Sequence, residues 1–176
     1  MACGVKTIAG SLGECRFASP IRSAADTVNF VPVEIDWPAG QAPADPLLLE
    51  QAAPRATIFF DPAKVRAGIV TCGGLCPGLN NVIRSAVLEL HYGYGVPSIL
   101  GFRFGYGGLD PRTAVAPMLL TPAEVDDIHL DGGTILGTSR GPVDVPAAVE
   151  NLVARGVNLL LCVGGDGTQR GGAALY

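Results

Sequence analysis

The sequence is poor in the residues that most often announce a site by themselves. It has only two histidines, His91 and His129, and neither stands at metal-ligand spacing from the cysteines. Cys72 and Cys76 are therefore read as structural thiols, and no structural zinc is expected. The five cysteines, Cys3, Cys15, Cys72, Cys76 and Cys162, are odd in number and scattered. That excludes a disulfide framework and predicts reduced thiols. Charged residues make up 16% of the chain, the formal net charge is −4, and there is no dense Lys/Arg block. Nonspecific nucleic-acid binding is thereby excluded as the main activity, and any anionic ligand has to be recognised locally. No apolar run approaches the roughly 20 residues of a membrane-spanning helix. The opening Met1-Ala2-Cys3-Gly4-Val5-Lys6 also lacks the apolar segment of a signal peptide, so no membrane partner and a cytoplasmic location are expected. Repeats of fixed period and low-complexity tracts are missing too.

What is present is enough for a core. The 176 residues are 48% hydrophobic, the size of one ordinary domain or a small domain plus a tail. The 24 glycines and 14 prolines gather at strand ends. Residues 1–64 are rich in Pro and Ala and read as an irregular N-terminal extension. Within it, residues 47–53 are expected to form a short helix, because Asp45-Pro46 supplies an N-cap and a first-turn proline.

The regular pattern starts at residue 65. A strand is predicted over 65–71, a glycine loop over 72–78 and a helix over 80–92, with Ile83, Val87 and Leu90 at helical spacing and Gly93 and Gly95 as the stop. A second strand follows at 98–102 and leaves through Gly105-Tyr106-Gly107-Gly108. Thr121-Pro122-Ala123-Glu124 has capping-box form. A third unit is the helix over 145–155, capped by Asp144 and ended by Gly156, with Val149, Leu152 and Val153 as its inner face. It leads into the apolar strand 157–163. Repeated strand, glycine loop and helix predicts an α/β fold: an open, mostly parallel sheet with helices on both faces.

Strand 157–163 empties into Gly164-Gly165-Asp166-Gly167-Thr168. In parallel sheets ligands gather at the carboxyl ends of strands, which places Asp166 at the mouth of a site. The flanking glycines let main-chain N–H groups approach an anion, and one aspartate plus phosphate oxygens suffices for magnesium. Read alone, the pentapeptide is equally a turn, since Gly and Asp are common turn formers. The loop over 72–78 lacks the Lys-Ser/Thr ending of a P-loop and the spacing of a dinucleotide fingerprint. It still feeds a helix N-terminus, which stabilises phosphate by roughly 0.3 to 1 kcal/mol, or about 2 when sheltered. Between the two loops lies Gly132-Gly133-Thr134-Ile135-Leu136-Gly137-Thr138-Ser139-Arg140-Gly141, long for a turn and carrying an arginine. A guanidinium there could neutralise a transferring phosphate, although by itself Arg140 reads more naturally as half of a surface ion pair.

Together, Thr71-Cys72-Gly73-Gly74-Leu75-Cys76-Pro77-Gly78-Leu79-Asn80, the Gly132 to Gly141 segment and Gly164-Gly165-Asp166-Gly167-Thr168-Gln169-Arg170-Gly171 resemble the signature loops of the phosphofructokinase family, in order and in wording. The resemblance covers residues 64–176. Leu75-Cys76, Gly101-Phe102-Arg103-Phe104-Gly105-Tyr106 and the N-terminal extension are similar to the branch found in plants, trypanosomatids and some bacteria. Leu75 stands where short bacterial enzymes have an acidic residue, so contacts of that acidic side chain are not transferred.

The resemblance implies that Gly73, Gly74, Arg140, Gly141, Gly165, Asp166, Gly167 and Thr168 surround the phosphates of ATP, with Tyr106 bordering the nucleotide and Asp166 on Mg2+. It gives Arg140 a charge-stabilising role. It also makes Gly167 the donor selector, because glycine there accompanies ATP and aspartate accompanies pyrophosphate. The implied reaction is attack of the 1-hydroxyl of fructose 6-phosphate on the γ-phosphate of ATP, in a cytoplasmic homo-oligomer when full length. The family's Thr-Ile-Asp-Asn-Asp segment, which supplies the base, and its sugar-phosphate ligands do not occur among these 176 residues. The chain is thus expected to be an amino-terminal part of such an enzyme and inactive alone. NAD and lipid kinases share the Gly-Gly-Asp-Gly-Thr loop and remain an alternative, as does a nucleotide-binding fragment or regulatory partner without catalysis.

Overall fold

The structure is a computed structural model and describes residues 14–21, 30–32, 48–50, 54–113 and 115–176. The chain divides into two compact units, residues 1–60 and 61–176.

In the first unit the described elements are short strands: β1 (Phe17–Ala18), β2 (Phe30–Pro32), β3 (Leu48–Glu50) and β4 (Thr57–Ile58). β1 pairs antiparallel with β4, and β2 with β3. This corrects the helix expected over 47–53, of which residues 47 and 51–53 lie outside the described ones. Leu49 sits opposite Val31, so pairing with a β-prone partner overrides the local cap-and-proline signal.

The second unit holds β5 (Arg66–Thr71), α1 (Leu79–Leu88), β6 (Ser98–Phe102), β7 (Met118–Leu119), α2 (Val145–Ala154), β8 (Leu159–Val163) and α3 (Asp166–Leu175). Its sheet has the order β7-β6-β5-β8, parallel throughout except for the short antiparallel β7. The open, mostly parallel α/β sheet read from the sequence is thus present. β5 is central, and its residues from Ala67 to Thr71 are buried without alternation, as a strand covered on both faces must be. On one face, Val70 and Phe102 pack with Tyr106 and Leu109 and with Ala148 and Leu152 of α2. On the opposite face, Leu120 and Leu136 lie over Gly101, where an added Cβ would come 3.0 Å from the Leu120 side chain. α1 contributes the wholly buried Ile83 and Val87.

Helix ends follow local chemistry. The Asp144 carboxylate accepts the Ala147 N–H at 3.2 Å, capping α2, and Gly156 at φ +70° stops it. The Thr121 hydroxyl accepts the Glu124 N–H at 3.3 Å ahead of a 3₁₀ turn at Ala123–Val125. Two expectations need correction. Val153 is 69% exposed, and Ala148 takes its place on the inner face of α2, a position that side-chain hydrophobicity alone ranks too low. The helix predicted over 80–92 keeps α geometry only to Leu88 and then widens into a π turn at Glu89–Gly93. Among the described residues no helix is long and apolar enough to cross a membrane.

Candidate functional site

β5 and β8 are parallel neighbours, with Thr71 beside Val163, so their following loops leave at the same edge. The Cys72 N–H donates to the Val163 carbonyl at 2.9 Å and carries the ladder one rung further. Gly164 has to be glycine here, because a Cβ would sit 2.6 Å from the Cys72 carbonyl oxygen. At this edge lies a cavity of about 370 Å³. Cys72, Gly73 and Gly74 form one wall, Ser139, Arg140 and Gly141 another, with Tyr106 from the turn after β6 and Gly165, Gly167 and Thr168 from the start of α3.

Eight of the nine positions expected around a nucleotide therefore line one cavity, although they come from four separate stretches of chain. Asp166 is the ninth and does not line it. As the first residue of α3 its side chain is 78% exposed, and a carboxylate oxygen accepts from the Arg170 guanidinium at 2.5 Å, four residues on. Among the described residues no carboxylate lines the cavity itself.

The walls suit an anion. Gly73 has φ +85°, a left-handed backbone that glycine adopts freely. Added Cβ atoms at Gly165 or Gly167 would meet nothing within 4 Å, so the main chain of the first turn of α3 is open to a ligand. No side chain caps this helix N-terminus, which leaves its dipole and free N–H groups directed outward. The Arg140 guanidinium lies 3.3 Å from the position a Cβ of Gly74 would take, so the bare backbone there leaves room for its close approach. For magnesium, among the described residues there is no group of three ligating side chains. Asp166 is a single hard oxygen donor beside the glycines of α3, which fits an ion that takes one or two carboxylates plus phosphate oxygens.

Tyr106 is a structural member of the site. Its ring is buried, and its hydroxyl donates to the Thr168 carbonyl at 2.5 Å. The ring reaches α3 because Gly171 has no side chain to collide with it. Burial, then the neighbouring Cys162, holds the phenol above the usual tyrosine range. Burial likewise pushes the Cys72 thiol up to about 11, so this wall carries a protonated thiol and no thiolate nucleophile at neutral pH.

Sequence reasoning missed the groups that hold these walls. Asn80 is buried in α1. Its side chain donates to the Asp131 carbonyl at 3.1 Å and accepts the Ile135 N–H at 2.8 Å, tying the helix that follows one glycine loop to the start of the next. The available signal was a polar residue on the stripe that Ile83 and Val87 continue. Asn80→Ala strands both backbone groups and is expected to destabilise the fold by about 2 to 4 kcal/mol, measurable by urea unfolding.

A family profile described as phosphofructokinase matches residues 66–176. The ATP-dependent 6-phosphofructokinase of Trypanosoma cruzi (strain CL Brener) is 55% identical over 126 residues, 72% of this chain and 26% of that protein. That of Trypanosoma brucei brucei is 48% identical over 152 residues, 85% of this chain and 31% of that protein. ATP-dependent 6-phosphofructokinase 7 of Arabidopsis thaliana is 48% identical over 126 residues, 72% of this chain and 25% of that protein. The chain thus spans about a quarter to a third of the length of these curated relatives. Among solved structures, Pichia pastoris phosphofructokinase aligns with a TM-score of 0.55 at 29% identity, covering 63% of this chain and 12% of that one.

Proposed function

We propose, from the premise that the chain belongs to the phosphofructokinase family, that the whole protein is an ATP-dependent 6-phosphofructokinase. In this reading residues 65–176 belong to its ATP-binding domain. The observation that carries the proposal is the convergence of three glycine loops on one cavity, with Arg140 against the first loop and open space at Gly167 in the third. The family match sets aside the NAD- and lipid-kinase alternative raised by the Gly-Gly-Asp-Gly-Thr loop. Fructose 6-phosphate as acceptor, a homo-oligomer and a cytosolic location complete the proposal.

Each residue has a task that follows from its place. The N–H groups at the start of α3 and at Gly74 bind phosphate oxygens, and the glycines admit them closely. Asp166 would hold magnesium, which supplies charge neutralisation on the phosphates when bound. Arg140 offers a fixed fork of donors to the charge that grows as the phosphoryl group moves. Among the described residues no histidine or carboxylate lines the cavity, so in this reading the base for the attacking hydroxyl comes from elsewhere in the protein.

The proposal is tested in two steps. Calorimetric titration of this chain with magnesium ATP measures donor binding. Joining residues 61–176 to the rest of the Trypanosoma cruzi relative then allows fructose 1,6-bisphosphate formation to be followed. Binding without turnover in that chimera would favour a non-catalytic nucleotide-binding role. In an active chimera, Arg140→Ala is expected to lower kcat about a hundredfold and to raise the KM for ATP less than that, by about tenfold. A change confined to KM would make Arg140 a ground-state contact.

A further inference from the structure

Thr71, the last residue of β5, has no exposed surface. Its hydroxyl lies between two groups of the long loop: it donates to the Gly137 carbonyl at 2.7 Å and stands 3.0 Å from Thr134 Oγ1. The protons can be assigned. A carbonyl only accepts, so the Thr71 proton goes to Gly137 and the Thr134 hydroxyl donates to the Thr71 oxygen. Thr134 Oγ1 in turn accepts the Leu136 N–H at 3.1 Å. Two residues beyond Thr71, the Gly73 N–H donates to the Ser139 carbonyl at 3.4 Å. The loop is therefore pinned to the end of β5 at Gly137 and again at Ser139, and the next residue is Arg140.

A third segment closes this junction. Gly105 has φ +61°, and a Cβ on it would lie 3.0 Å from the Ser139 nitrogen and 3.3 Å from the Thr71 carbonyl oxygen. Gly105 therefore has to be glycine for the three segments to meet here.

We infer that Thr71 is a positioning residue for Arg140. Its hydroxyl fixes the loop whose next turn sets the guanidinium beside Gly74, and it does so from outside the cavity without touching a ligand. The inference rests on the reading of Arg140 as the cation that faces the donor phosphates. Valine has nearly the shape of threonine but leaves the Gly137 carbonyl without its donor and the Thr134 hydroxyl without its acceptor, so the loop is freed with little change in packing.

The test is calorimetric titration of the 176-residue chain with magnesium ATP, comparing T71V and T71S in the Arg140 and R140A backgrounds, with thermal melts to establish folding. T71V is expected to weaken binding about tenfold, and T71S to return it to within about twofold of the unsubstituted chain. In the R140A background T71V should cost nothing further, because its effect passes through the missing guanidinium. If T71V fails to fold, Thr134→Val removes the donor to the Thr71 oxygen at a half-buried loop position, and the same dependence on Arg140 is expected. An equal loss in both backgrounds would make Thr71 a general structural residue and overturn the inference, as would unchanged binding by folded T71V. Binding that is insensitive to R140A, or absent from the unsubstituted chain, would overturn the reading of Arg140 itself and this inference with it.

Discussion

Asp166→Asn is expected to cut phosphoryl transfer by the active chimera about a thousandfold while leaving the fold nearly as stable, because a bound metal supplies several kcal/mol of charge stabilisation to such transfers. The two effects separate because of where Asp166 sits. Its carboxylate is exposed at the first residue of α3 and, among the described residues, pairs with Arg170 alone, which is also exposed. Such a pair contributes about 0 to 1 kcal/mol, so losing it costs little stability. Arg170→Ala is the control: it breaks the same pair but keeps the carboxylate. If Arg170→Ala reproduced the loss, the ion pair and not the metal would be responsible. Near-normal turnover of Asp166→Asn would remove Asp166 from the chemistry altogether. Manganese binding, followed by electron paramagnetic resonance with ATP present, gives a second readout and should weaken only in Asp166→Asn.

Gly167→Asp is expected to weaken ATP binding by this chain about a hundredfold or more. A carboxylate about 4 Å from a phosphate charge is opposed by roughly 4 kcal/mol at the effective dielectric near a protein surface. The fold should tolerate the change. A Cβ at Gly167 meets no atom within 4 Å, and an aspartate in the first turn of a helix is favoured by the dipole. The melting temperature should therefore stay constant or rise slightly while the calorimetric signal for magnesium ATP fades. A folded Gly167→Asp protein with unchanged ATP affinity would place Gly167 outside the donor pocket.

Much of this site was legible because its walls are made of glycine. Glycine at close spacing after an apolar run has few uses, and the order of the three loops carried the rest. The central strands were legible for a similar reason: Ile69-Val70 and Leu159-Leu160-Leu161 are apolar enough to need cover on both sides. What stayed hidden depends on partners far along the chain. Leu48–Glu50 is a strand only because residues 30–32 lie beside it. Thr71 and Asn80 look like ordinary polar residues until the loop 63 and 55 positions away from them is folded against them. The widening after Leu88 involves no proline or glycine within α1 itself, and residue type gave no warning of it.

The bond from Tyr106 to the Thr168 carbonyl also bears on how the protein fluctuates. The phenol is buried, stays protonated and is held over Gly171, so the first turn of α3 cannot open unless the Gly105–Leu109 turn opens with it. The two segments should then exchange their amide hydrogens as one cooperative unit with a common opening free energy, although they are about 60 residues apart. Under the proposed function, a phosphate arriving at the amino end of α3 would meet N–H groups that are already ordered, and little of its binding energy would be spent on arranging them.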